Sequence, residues 1–94
     1  MIIRWLDDAA HDLQSLRHYI AQDNAVAANK VVKKILHSIE MLSEQPGIGR
    51  QGRVVNTREL IVSGTPYIVP YRVKNNVIEI LRVFHCAMQW PELL

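Results

Sequence analysis

Cysteine, proline, glycine and aromatic residues are all scarce in this chain. Its 94 residues hold one cysteine, four prolines, four glycines and six aromatic side chains. The single Cys86 excludes an intramolecular disulfide framework and suits a reducing compartment, so a cytoplasmic location is expected. No apolar run approaches the ~18 residues that a membrane-crossing helix needs, and no membrane partner is expected. Met1-Ile2-Ile3-Arg4-Trp5 has neither the basic start nor the apolar stretch of a secretory signal. Repeats, low-complexity segments and linkers are missing as well, and the length is that of one domain over residues 1–94. Trp5, Tyr19, Tyr67, Tyr71, Phe84 and Trp90 are scattered, which excludes a laid-out base-stacking platform.

A strong charge of either sign is also absent, the net value being +2. Its distribution is less even. Residues 1–44 hold five basic and six acidic side chains, and residues 45–94 hold six and three. Five of the six bases in the second half are arginines, whose planar fork suits phosphate or carboxylate and whose stem also covers apolar surface.

Periodicity supplies the elements. Ile2-Ile3-Arg4-Trp5 reads as a short strand, and Asp7 or Asp8 caps a helix. Ala9, Leu13, Leu16 and Ile20 make one face of that helix. Asp23-Asn24 ends it and caps a second, whose face is Ala28, Val32, Ile35, Ile39 and Leu42. Gln45-Pro46-Gly47-Ile48-Gly49 terminates the second helix. Strands follow over 54–62, 67–73 and 77–85, separated by turns at Ser63-Gly64-Thr65-Pro66 and Lys74-Asn75-Asn76. The last run is apolar throughout and is expected at the sheet centre. Pro70 cannot donate to a ladder, so its strand is expected to be exposed or bulged there. The fold class is α+β, in the order β-α-α-β-β-β. A helical hairpin packs on one face of a small, mainly antiparallel four-stranded sheet. The other face is expected to be free and partly polar.

Several chemistries find no support. His11, His18, His37 and His85 lack metal-ligand spacing, and His85 and Cys86 point to opposite faces of a strand, so no metal or cofactor is expected. Ser63 lacks a nucleophile-elbow context. Gly47-x-Gly49-x-x-Gly52 has the spacing of a dinucleotide fingerprint but follows a helix and precedes a strand, the reverse of what that motif requires. These glycines read as part of a flexible basic loop carrying Arg50 and Arg53. Arg58, Arg72 and Arg82 are expected on the sheet. With His85 they could serve a ribonuclease that uses the RNA's own 2′-OH, although a second proton-transfer residue is missing from the obvious positions. His85 reads most simply as a strand-end residue bonded to the chain beyond it. The tail Ala87–Leu94 either folds back on the sheet or presents Trp90 and its leucines to a partner.

Several motifs in one order carry a family resemblance. They are Asp8-Ala9-Ala10-His11-Asp12-Leu13, Pro46-Gly47-Ile48-Gly49-Arg50, Thr57-Arg58-Glu59-Leu60, Tyr67-Ile68-Val69-Pro70-Tyr71-Arg72, Ile80-Leu81-Arg82-Val83-Phe84-His85 and Trp90-Pro91. Together they resemble the RelE/ParE superfamily, the toxin halves of bacterial type II toxin–antitoxin modules. The resemblance implies the fold just described and one of two activities. RelE-like members cleave messenger RNA in the ribosomal A site, and ParE-like members inhibit DNA gyrase. The Arg-Glu-Leu and Tyr-Ile-Val-Pro-Tyr-Arg pattern looks like the ParE side. That reading implies target contacts at Arg50, Arg53, Arg58, Arg72, Arg82 and Trp90, with no catalytic residue. The alternative is a ribosome-dependent endoribonuclease using Arg58, Arg72 and His85. A third reading is an inactive toxin-like scaffold. All three imply an acidic, partly disordered antitoxin drawn to Lys33 and Lys34, through which alone operator DNA would be reached.

Overall fold

The computed structural model describes residues 1–90. Strand β1 (Ile2–Trp5) leads into helices α1 (Asp7–Ala21) and α2 (Ala25–Glu40), and a 3₁₀ turn (Met41–Ser43) closes the second helix. Five strand segments follow: β2 (Arg50–Gln51), β3 (Arg58–Ile61), β4 (Tyr67–Lys74), β5 (Val77–Ile80) and β6 (Phe84–His85). They form one sheet in the order β1-β5-β4-β3-β2, with β6 also pairing β4. Only the β1–β5 pair is parallel. Strand β4, rather than the last run, is therefore central.

The expected helix faces meet the sheet. Ala9, Leu16, Ile35, Ile39 and Leu42 form one core with Leu60, Val69, Tyr71, Ile78 and Ile80. Fully burying one such aliphatic side chain stabilises the fold by about 1.5–3 kcal/mol. The helix ends differ from expectation in one respect. Asn24 caps α2, its side chain accepting from the Ala27 N–H at 3.0 Å. Asp7 and Asp8 instead lie inside the first turn of α1, behind an N-cap Leu6 that makes no side-chain bond. There they act on the helix dipole and not as caps.

Two departures in the sheet share one cause. Residue Tyr71 pairs Ile80 in β5, while Ile68 pairs Phe84 in β6. Val69 and Pro70 thus face three residues, Leu81–Val83, and the extra residue is a β-bulge. The Leu81 N–H donates to the Pro70 carbonyl at 3.0 Å, so the nitrogen of Pro70 also faces this bulge. The missing proline donor falls where the ladder is already interrupted, which lets proline sit in a central strand. The bulge also reverses facing. Ile78 and Ile80 point to the helices, but Phe84 pairs Ile68 on the opposite side.

That opposite face is not free. Ile68, Pro70, Leu81 and Phe84 are all buried there. The Trp90 ring covers part of it, 4.9 Å from Phe84 between centroids. The tail therefore folds back as far as it is described, and Leu93 and Leu94 lie outside the described residues. The expected strand over 54–62 is shortened to β3, because Arg53–Asn56 form a turn with Asn56 in the left-handed region at φ 64°.

Candidate functional site

Glutamate 59 organises the covered face. Pairing with Arg50 on one side and Pro70 on the other turns its side chain away from the helices. The side chain is only 2% exposed. Its Oε1 accepts from Arg50 Nε at 3.2 Å and Arg50 Nη2 at 2.9 Å. Its Oε2 accepts from the Arg53 backbone N–H at 2.8 Å and Arg53 Nε at 3.3 Å. Burial pushes this carboxyl up, but the Arg53 backbone bond, the Arg50 side chain and the charges of both arginines outweigh it, and the net shift is downward. The Arg53 guanidinium then lies 3.7 Å from the centre of the Trp90 ring, within cation–π range. Glu59, Arg50, Arg53 and Trp90 form one connected unit.

The loop that carries these arginines is pinned. The Tyr71 hydroxyl donates to the Pro46 carbonyl at 2.8 Å and accepts from the Gly49 N–H at 2.9 Å. Burial raises the Tyr71 phenol, so it stays a donor. Arg58 Nη1 donates to the carbonyls of Gly47 (3.3 Å) and Gly49 (2.8 Å). A Cβ on Gly49 would stand 2.6 Å from the Tyr71 ring, and one on Gly52 would collide with Thr57. These glycines permit close approach; they are not hinges of a flexible loop.

A second group lies at the end of β4. Arg72 Nε donates to Glu79 Oε1 at 2.6 Å, and Arg4 Nη1 lies 3.8 Å from Glu79 Oε2. The Arg72 bond, against some burial, lowers the Glu79 carboxyl, and the charges of Arg72, Arg4 and Lys74 add to it. Beside this group an open pocket of about 800 Å³ is lined by Gln51, Asn56, Thr57, Arg58, Arg72 and Lys74, with Val73.

The remaining expected residues are dispersed. Arg82, at the bulge, turns to α1 and holds Asp12 through Nε at 2.8 Å and Nη2 at 3.0 Å, while the Val83 N–H donates to the same carboxylate at 3.0 Å. It braces the sheet against the helix, and its guanidinium also lies 4.8 Å from the centre of the Phe84 ring, which meets Trp90 in turn. His85 is exposed, and its Nδ1 accepts from the Ala87 N–H at 3.1 Å, the strand-end arrangement expected of it. Its ring meets Tyr67 edge-on with centroids 5.5 Å apart. Lys34 reaches the β3–β4 turn beside Gly64, and Lys33 borders a shallow pocket of about 420 Å³ between the helices.

His85 does not meet Arg58 and Arg72, which both line the pocket of about 800 Å³. Arg58 is paired with Tyr71, and His85 with Tyr67 four residues away, roughly 13 Å along the strand. Arg72 points to the face opposite Arg58. Sequence reasoning also missed the carboxylates. One signal was available: a two-residue Asn75-Asn76 turn sets Arg72 directly across from Glu79.

Three comparisons bear on this geometry. A family model described as "ParE toxin of type II toxin-antitoxin system, parDE" matches residues 3–90. The chain is 44% identical over 92 residues to a Sinorhizobium fredii protein named "Putative toxin Y4kP", covering 98% of this chain and 95% of that one. It is 32% identical over 83 residues to Toxin RelE2 of Caulobacter vibrioides, covering 88% and 92%. Among solved structures, a chain of the chromosomal ParDE TA system from P. aeruginosa superposes with a TM-score of 0.80 at 32% identity, covering 90% of this chain and 95% of that one.

Proposed function

The chain belongs to the ParE toxin family of type II toxin–antitoxin systems, within the RelE/ParE superfamily, and we propose that it acts by binding: it inhibits DNA gyrase and is neutralised by a co-encoded antitoxin. The separation of His85 from Arg58 and Arg72 carries this reading. Cleavage by a 2′-OH needs a base, an acid and charge-stabilising groups around one phosphate, each within hydrogen-bond reach of its proton or oxygen. The backbones of His85 and Arg58 stand roughly 13 Å apart along β4, and His85 does not line the pocket that holds Arg58 and Arg72, which speaks against such a cluster. His85 also spends one ring nitrogen on its own backbone.

The contact surface proposed for gyrase is Arg50, Arg53 and Trp90 as the unit clamped by Glu59, with Arg58 and Arg72 at the neighbouring sheet end. Arg82 supports the fold behind them. Partnership with an antitoxin is supported by the ParDE system among the structural relatives, and Lys33 and Lys34 offer charge to an acidic chain on the helical side. Gyrase inhibition implies action in the cytoplasm.

The second reading, a ribosome-dependent endoribonuclease, draws on the name of the relative Toxin RelE2. One pair of assays separates the two. Purified toxin should block supercoiling by gyrase and leave messenger RNA intact in a translation extract, and His85→Ala should still arrest growth. Normal supercoiling at saturating toxin, with cuts in messenger RNA that vanish in His85→Ala, would replace the proposal by the nuclease. Absence of growth arrest without antitoxin would leave only a scaffold.

A further inference from the structure

Two carboxylates stand at the ends of one continuous run of side chains. Asp12 accepts from Arg82 through both oxygens, at 2.8 and 3.0 Å. The Arg82 guanidinium lies 4.8 Å from the centre of the Phe84 ring. Phe84, itself buried, meets the Trp90 ring at 4.9 Å between centroids and an interplanar angle of 60°. The Arg53 guanidinium lies 3.7 Å from the centre of that second ring, and Glu59 holds Arg53. An aromatic pair is thus held between two cations, each within cation–π range of its ring and each tied to its own carboxylate.

The two ties belong to different parts of the fold. Glu59 lies in β3, and Arg53 in the turn before it. Asp12 lies in α1, and Arg82 in the bulge between β5 and β6. Asp12 also accepts from the Val83 N–H at 3.0 Å, so it fixes the backbone of the bulge along with the side chain. The Trp90 ring has no such directional bond. Its indole N–H is buried and finds no acceptor among the described residues. The angle of the ring is therefore set by Phe84 and Arg53, which touch it, and not by a hydrogen bond.

We propose that Asp12 and Arg82 are positioning residues for Trp90: acting through Phe84, they set the angle at which the indole is presented to the target. This rests on the reading of Trp90 as a target contact and extends it to a carboxylate in the helical layer, which makes no part of that surface. A brace between α1 and the sheet needs the ion pair alone. The contact of the same guanidinium with Phe84 is what a brace does not need. Without the Asp12 charge, the partly exposed Arg82 side chain regains rotamer freedom and water, and the Phe84 end of the aromatic pair loses its cation.

The test uses the full chain with Trp5→Phe, so that Trp90 alone reports. Asp12→Asn keeps the size of the side chain and an acceptor for the Val83 N–H, and removes the charge that holds Arg82. It should raise acrylamide quenching of Trp90 and weaken inhibition of gyrase supercoiling by roughly two- to thirtyfold, the span for residues that act through an intermediate contact. Phe84→Leu should do the same, and adding Asp12→Asn to it should move neither readout further. Ile35→Val, a core truncation on α2, should lower the melting temperature and leave both readouts at the parent's values, all measured where circular dichroism shows each variant folded. Parental quenching in Asp12→Asn, raised quenching with parental inhibition, or an equal change in Ile35→Val would overturn the proposal. A parent toxin that leaves gyrase untouched, with quenching still raised in Asp12→Asn, would remove the gyrase reading and support the positioning of Trp90.

Discussion

Replacing Glu59 by alanine tests the organisation of the covered face most directly. The carboxylate is 2% exposed and accepts four hydrogen bonds from two arginines. Its loss strands the Arg53 backbone N–H, at about 1.5 kcal/mol for a bond to a charged acceptor. The two guanidiniums are half-exposed and rehydrate, so each pair is worth only about 0.5–1 kcal/mol, well below the value for a fully buried bridge. The expected total is about 2.5–3.5 kcal/mol. For a domain of this size that lowers the melting temperature by roughly 10–20 °C. Glu59→Gln keeps one acceptor and should fall between. Release of Arg53 should also free the Trp90 ring, read as a red-shifted emission in a Trp5→Phe background. A melting temperature within about 2 °C of the parent, with unchanged Trp90 emission, would refute the clamp.

Two further outcomes follow from the same geometry. Tyr71→Phe removes the hydroxyl that bridges Pro46 and Gly49, and should cost about 1–3 kcal/mol through the two unpaired backbone groups. Denaturant midpoints at unchanged slope, together with faster hydrogen exchange at Gly49, would report it. Acid should loosen the same face. The folded Glu59 and Glu79 carboxyls both lie below the ordinary value of 4.5, so their stabilisation is complete above about that pH and is lost as pH falls through the lowered values. Melting curves between pH 5 and 2 should therefore fall more steeply for the parent than for Glu59→Gln; parallel curves would contradict the shift of Glu59.

Local chemistry made most of the fold legible. Apolar spacing at 3.6 residues marked both helix faces, Asn24 marked its own cap, and the Asn75-Asn76 pair marked a tight turn. Local chemistry failed where the outcome depended on contacts distant in sequence. The apolar run from Val77 to His85 carries no sign of a bulge, because an extra residue is defined only against a partner strand. Pro70 gave the one hint, and the bulge lies in the segment facing it. The arginines were visible as residues but not as pairs. Asp12 and Arg82 are 70 positions apart, and only the packing of α1 on the sheet joins them.

The amino-acid order by itself determined the element types, their succession and the excess of guanidinium in the second half, since these depend on neighbours within a few positions along the chain. Tertiary structure decided which guanidiniums are cancelled and which are left with donors to spare. That choice depends on cross-strand register, where a shift of one residue sends a side chain to the other face of the sheet.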